Sequence, residues 1–486
     1  MQHKVAVEKL IAIMRHVDSG ALDCQSAQTA VSNLLADQGG GTFSDCSTTL
    51  HVFKEYFQNP AVSSQAVMKH LGIDQEQLID AQRSIQRTAL FSEAWQSLFY
   101  PRSLLVRYGY QLTRYLHDNP QFISDVDDGH PRIYMLEVHP TAGSCIYRCR
   151  MCLWSGGGTL TAKRIRESAK GELLSKRQWD AVLSEAKQLG VERVIISGGG
   201  ETLLDGEKFR EATRTAIRLG IKTMIYTNGR LLSALSEKTV ETIMQADWLR
   251  VSLHAATPET YAQLVNRPIS RDDLEFVVKG IRRLIALKKE CRSSLQIGIG
   301  VVIQEANYDH IPLLAKLGEE LGIDFLDIRG DCIGISNALS LTQFETVLRD
   351  LRVVRDRSTN DALPFKLTIA DDLLLQADQW QGMTLTQPQR CWIPVLRPAI
   401  DPFGTVCACD SIGEPFTRST SPDAYVFGSY YSLPLGQLLE TALRKPLGVW
   451  CNHCMPGQVA LNALFEKVVA DFKHGVLPSD QPFFAP

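Results

Sequence analysis

The strongest constraint on the fold of this chain is a rhythm that begins after Pro131. Six short β-rich runs, Ile133–His139, Arg193–Ser197, Lys222–Thr227, Trp248–Leu253, Leu295–Ile303 and Phe325–Arg329, follow one another at wide spacing. Between them lie amphipathic stretches at Ser175–Leu189, Glu207–Leu219, Glu237–Gln245, Asp272–Lys289 and His310–Leu321. Strand–helix alternation of this kind is the signature of a parallel α/β structure joined by crossover helices. Eight such units close a barrel. Six predict an incomplete, open one, so residues 131–335 are expected to form a partial (β/α)6 TIM-type barrel.

The strands also alternate within themselves. Leu249, Val251 and Leu253 share one face while Arg250, Ser252 and His254 share the other. Ile297, Ile299, Val301 and Ile303 oppose Gln296, Gly298 and Gly300, and Leu326 and Ile328 oppose Asp327, Arg329 and Asp331. Each strand thus offers an apolar face to the helices and a polar or small face to the interior. A closed barrel is normally filled with branched apolar side chains, so polar and glycine positions there predict a ligand cavity. His254, Asp327, Arg329 and Asp331 are the candidate catalytic residues. An arginine suits a phosphate or carboxylate, and a carboxylate or histidine suits acid–base assistance.

The flanks read differently. Residues 1–130 carry helical spacing in Val5–Val17, Ala27–Leu35 and Leu78–Leu90. The segment from Val62 to Asp74 resembles a helix-turn-helix with Gly72 at the turn, but no basic stripe accompanies it. We read this region as a helical accessory domain. An acidic, turn-rich stretch at Asp125–Pro131 marks its end. Beyond residue 336 the strand–helix rhythm stops; a helix at Leu341–Arg357, a hairpin at Pro398–Ala408 and a helix at Leu435–Arg444 are expected in a third unit, 336–486. A charge of -3 over 486 residues gives no electrostatic reason to expect nucleic acid as a partner. No signal peptide or membrane helix is evident, so a cytoplasmic location without membrane partners is expected.

Eight of the 12 cysteines fall in two groups. Without an export signal, clustered thiols in a large chain point to metal or redox chemistry rather than disulfides. The first group is Cys145-Ile-Tyr-Arg-Cys149-Arg-Met-Cys152, directly after the first expected strand. Three thiolates on one loop can bind three irons of a [4Fe–4S] cube. A structural zinc site would want a fourth ligand nearby, and the closest histidine, His139, precedes the loop.

This C-x3-C-x2-C at the end of a first strand resembles the signature of the radical S-adenosylmethionine superfamily. Ile195-Ile-Ser-Gly-Gly-Gly-Glu201, at the end of the second strand, resembles that family's Gly-Gly-Glu motif. The resemblance implies that Cys145, Cys149 and Cys152 hold a [4Fe–4S] cluster. It implies that Gly199, Gly200 and Glu201 bind the methionine amino group of S-adenosylmethionine, and that Asn228 and Ser252 lie near its ribose and carboxylate. The implied activity is reductive cleavage of that cofactor to a 5′-deoxyadenosyl radical, which takes hydrogen from a substrate. An electron donor such as flavodoxin or ferredoxin is implied as partner. Two residues depart from the family pattern: Met151 stands where an aromatic is usual, and Thr202 where proline is usual.

The second group, Cys391, Cys407, Cys409, Cys451 and Cys454, has an order around Gly404 that resembles the SPASM or twitch auxiliary-cluster domains. The resemblance implies a second [4Fe–4S] cluster on Cys391, Cys409, Cys451 and Cys454. Cys407 and His453 are competing ligands, and a zinc site with the same ligands is the alternative. The helical N-terminal domain followed by the cysteine loop resembles sugar-modifying members of the superfamily, in particular the lyase that acts on a dTDP-4-amino-4,6-dideoxy sugar. A sugar, aminosugar or nucleotide-sugar substrate is therefore expected, with lyase or oxidoreductase chemistry. Peptide maturation and a non-catalytic iron–sulfur sensor are the other readings.

Overall fold

The computed structural model describes most of residues 112–141, then 145–152, 173–198, 200–266, 273–331, 339–359, 363–369, 391–409 and 426–444. In the N-terminal part it also describes 24–37, most of 64–78 and scattered helical residues, and near the C-terminus scattered helical residues between 461 and 473. Six parallel strands stand where the sequence rhythm puts them: β1 (Met135–Val138), β2 (Arg193–Ile196), β3 (Lys222–Thr227), β4 (Trp248–Ser252), β5 (Gln296–Ile303) and β6 (Phe325–Gly330). The helices are α1 (Cys24–Asp37), α2 (Ser64–Leu71), α3 (Gln121–Asp127), α4 (Lys176–Gln188), α5 (Gly206–Arg218), α6 (Glu237–Met244), α7 (Pro258–Val265), α8 (Asp273–Cys291), α9 (Ile311–Leu321) and α10 (Leu341–Thr359). The helix boundaries follow local chemistry. Ser175 and Gln178 form a capping box at the start of α4, and the Asp205 carboxylate accepts from the amides of Glu207 and Lys208 at the start of α5.

The expectation that the rhythm ends near residue 336 is corrected. Helix α10 leads to a seventh parallel strand, β7 (Lys366–Ile369), paired with β6. It has four residues and follows Pro364, too short to show a period. The chain then turns through α11 (Ile393–Leu396) to the opposite edge of the sheet. There β8 (Ala399–Ile400) pairs in parallel with β1, and β9 (Thr405–Cys407) and β10 (Val426–Ser429) continue antiparallel before α12 (Leu435–Arg444). The strand order is β10-β9-β8-β1-β2-β3-β4-β5-β6-β7, with β10 and β7 as edges. The architecture is an open α/β barrel, as expected, widened on both sides.

Register fixes the faces. Val138, Ile196, Ile225, Leu249 and Ile297 are aligned across five strands and join the core beneath the helices. Leu326 and Ile328 belong to the same core. The opposite face divides along the strands. Toward the N-terminal ends, Met135, Ile195 and Met224 pack against Trp392, Val395, Leu396 and Phe465, which form an apolar floor. Toward the C-terminal ends the lining is polar. Glycines 298 and 300 on β5, expected to open a cavity, instead make room for neighbours. A Cβ at Gly298 would overlap the Phe325 ring, and one at Gly300 would overlap the Arg250 guanidinium.

Candidate functional site

Cys145, Cys149 and Cys152 lie on the loop after β1; Cys145 is exposed and the other two are half-buried. The loop is anchored by helix α7. Arg148 N–H donates to Val265 O at 2.9 Å and Arg150 N–H to Leu264 O at 3.2 Å. These carbonyls belong to the last turn of α7, where a helix supplies no N–H donors of its own. Tyr147, between the first two cysteines, is buried with its ring edge-on to Tyr261 of α7 at 6.0 Å. Two N–H groups reach Cys145 Sγ, from the Tyr147 backbone at 3.4 Å and from the Asn228 side chain at 3.5 Å. Burial and the neighbouring cysteines push the Cys149 thiol well above its ordinary value, so binding of a metal there must release protons. Among the described residues no three metal-binding side chains converge as they would on one ion. A cube takes one iron per thiolate, so its ligands need not converge on a point.

Glu201 is buried and ties the ends of β2 and β3 together. Its Oε1 accepts from Thr227 Oγ1 at 2.5 Å and from Leu203 N–H at 3.0 Å, and its Oε2 from Asn228 N–H at 2.8 Å. All three donors are neutral. Burial raises the Glu201 carboxyl above its ordinary range despite them. Gly200 adjoins it, half-buried; Gly199 lies outside the described residues. Asn228 Oδ1 accepts from Arg230 N–H at 2.9 Å, closing a turn in which Gly229 has a φ of 80°. A side chain at Gly229 would strain that backbone and meet Val251 and Val277. Ser252 is half-buried at the end of β4, opposite Gly300.

The four candidate catalytic residues line the same side of β4–β6. His254 is buried, and its Nδ1 accepts from Val302 N–H at 3.1 Å, so a neutral ring carries its proton on Nε2. Burial, then Arg250 and Arg329, hold its pKa down at about 3. Asp331 accepts from Gln304 Nε2 at 2.9 Å. Asp327 Oδ2 lies 3.9 Å from Arg250 Nε. Arg329 is half-buried on the same strand.

Sequence reasoning missed a second buried constellation. Glu137 of β1 accepts through Oε2 from Nε (2.9 Å) and Nη2 of Arg397, and through Oε1 from Ser197 Oγ at 2.5 Å; His139 Nε2 lies 3.4 Å from Oε1. Burial alone would raise the Glu137 carboxyl, but Arg397, His139 and Ser197 hold it far below the usual range. No local spacing signals a partner 260 residues away.

Of the second cysteine group, Cys391 and Cys409 pack into one small cluster with Ile393, Ala408, Phe427 and Leu461. Cys407 is buried within β9, aligned with Ala399 and Val426. Cys451, His453 and Cys454 lie outside the described residues. No described helix is long and apolar enough to cross a membrane.

Residues 140–316 match the family described as the Radical SAM superfamily. Among solved structures, SuiB of Streptococcus suis aligns at a TM-score of 0.47 and 15% identity, over 76% of this chain and 82% of SuiB. SuiB bound to S-adenosylmethionine aligns at 0.43 and 17%, over 60% of this chain and 65% of that one, just under two thirds of its length. Native anSMEcpe with bound AdoMet aligns at 0.44 and 14%, over 64% of this chain and 81% of that one. The residues that match this family model take in the cysteine loop, Glu201, strands β2 to β5 and the start of α9.

Proposed function

We propose that this chain holds a [4Fe–4S] cluster on Cys145, Cys149 and Cys152, binds S-adenosylmethionine beside it, and removes hydrogen from a sugar-derived small molecule in the barrel. The observation that carries the reading is the union of the thiol loop with Glu201. Three thiols share one loop, Cys145 Sγ receives two N–H donors, and 201 is a buried carboxylate that meets only neutral donors among the described residues. Hydrogen bonds to sulfur suit a cluster ligand. A buried carboxylate without a cation suits a ligand ammonium group. The donor set therefore fits both groups.

Bound there, cluster and cofactor supply one-electron cleavage and hydrogen abstraction; the remaining tasks fall to the protein. Glu201 orients the amino group of the cofactor, and Asn228 and Ser252 face its ribose and carboxylate. Arg329, Asp327 and Asp331 bind the substrate and assist elimination or redox rearrangement; a neutral His254 props the β5 backbone and can offer only Nε2–H. Cys391, Cys409, Cys451 and Cys454 hold an auxiliary cluster. The polar lining of β4–β6 supports a hydroxylated, charged substrate over an apolar one.

Anaerobic reconstitution with a reductant tests the reading. The protein should convert S-adenosylmethionine to 5′-deoxyadenosine, and Cys149→Ala should not. Cleavage that survives in this variant would overturn the site. Deuterium carried into 5′-deoxyadenosine from a labelled nucleotide sugar would support the substrate class, and transfer from a peptide instead would overturn it. Zinc rather than iron in the residual site of Cys149→Ala would remove the auxiliary cluster.

A further inference from the structure

Arg250 stands in the middle of β4 on the inward face and is only 8% exposed. Gly300 makes room for its guanidinium. The side chain thus runs from β4 across β5 toward Asp327 of β6 and the C-terminal end of the sheet. The separation from Asp327, 3.9 Å between Nε and Oδ2, is an attraction and not a hydrogen bond. Arg250 Nε is buried without a partner, and among the described residues the guanidinium donates no hydrogen bond. It also lies over the face of Tyr226, 4.9 Å from Cζ to the ring centre. A buried ion with its donors unused is costly unless a ligand uses them. A planar guanidinium fork matches carboxylate or phosphate oxygens.

We propose that Arg250 anchors a carboxylate or phosphate group of the substrate within the barrel, and that Asp327 holds the guanidinium in place until that group arrives. The inference deepens the proposed function and rests on its reading of the barrel as the substrate chamber, but its test requires no turnover. The guanidinium lies beside Gly300, which pairs with Ser252, while the Phe325 ring fills the space over Gly298 one register step nearer the apolar floor. The anchored group would therefore sit level with Ser252, above the Phe325 ring.

The probe is inorganic phosphate, added to the reconstituted full-length protein while thermal unfolding is followed, with chloride at matched ionic strength as control. The unsubstituted protein should show a saturable rise in midpoint specific to phosphate. Asp327→Asn, which removes the competing internal anion, should bind phosphate about fivefold more tightly. Arg250→Gln should lose the saturable response while equilibrium dialysis still detects S-adenosylmethionine binding. A phosphate response that survives in Arg250→Gln, or one that is unchanged or weakened in Asp327→Asn, would overturn the proposal. So would loss of S-adenosylmethionine binding in Arg250→Gln, which would give Arg250 to the carboxylate of the cofactor. If Arg250→Gln does not fold, Asp327→Asn decides alone. Persistent cofactor cleavage in Cys149→Ala would instead count against the proposed function and leave the phosphate response intact.

Discussion

Two buried glutamates, one within β1 and one just after β2, have opposite electrostatic surroundings. Glu137 meets a guanidinium and is held strongly acidic; Glu201 meets three neutral donors and is pushed toward weaker acidity. The first charge is compensated from within the chain, by Arg397 between α11 and β8. It fastens the C-terminal segment to the first barrel strand. The second is left with capacity for a cation. The contrast separates a residue that holds the structure together from one that the structure holds ready.

Arg397→Met attacks the compensated member and should have the largest effect. It leaves the Glu137 carboxylate buried and unpaired, at a cost of about 3–5 kcal/mol in urea unfolding. Adding Glu137→Leu to Arg397→Met should recover most of that loss, because the penalty belongs to the orphaned charge. If the double variant is no more stable than the single one, the ion pair is not what joins these segments.

Glu201→Gln comes next and should split stability from binding. Stability should stay within about 1 kcal/mol, since a charge that burial disfavours is removed along with one acceptor. S-adenosylmethionine binding should weaken about 10- to 100-fold, the loss of a charge-assisted contact. Equal loss of both would make Glu201 a structural residue like Glu137.

Acid should also distinguish the two. The Glu137 carboxyl is lower in the folded chain than in the unfolded one, so its stabilisation is complete above about pH 5, an unfolded carboxyl titrating near pH 4.3. The stabilisation is lost as pH falls below that. Glu137→Gln should flatten the stability–pH curve on that side, as read from urea midpoints between pH 6 and pH 3. Glu201, raised by burial, contributes the opposite slope. The smallest effect is expected from Asn228→Ala, which removes one N–H from Cys145 Sγ. The cluster potential should move to more negative values, with stability changed by less than about 1 kcal/mol. Redox titration of the reconstituted protein checks this.

The legible parts of the molecule were those written in local periods. Alternation along Leu249–His254 and Phe325–Asp331 gave the correct faces because one register step is two residues everywhere in a sheet. The cysteine loop and the glycine–glutamate turn were legible as short motifs. β7 was not, with four residues; β8 was legible as one arm of the hairpin at Pro398–Ala408, but not as a parallel partner of β1. The Glu137–Arg397 pair was invisible because its members meet only after the chain has gone round the sheet. Glycines 298 and 300 suggest empty space in the sequence, but in the fold that space belongs to Phe325 and Arg250. A small residue on an inner face says that something needs room, and only the neighbouring strand says what.

The docking of the cysteine loop on α7 bears on how the proposed cluster site would be filled. Arg148 and Arg150 hydrogen-bond to the last helical turn through their own amides, and Tyr147 is wedged against Tyr261. None of these contacts needs iron. They hold the backbone between the thiols, and of the three Cys145 is the exposed one. On the proposed function, a cluster would be added to a loop whose backbone contacts do not depend on it.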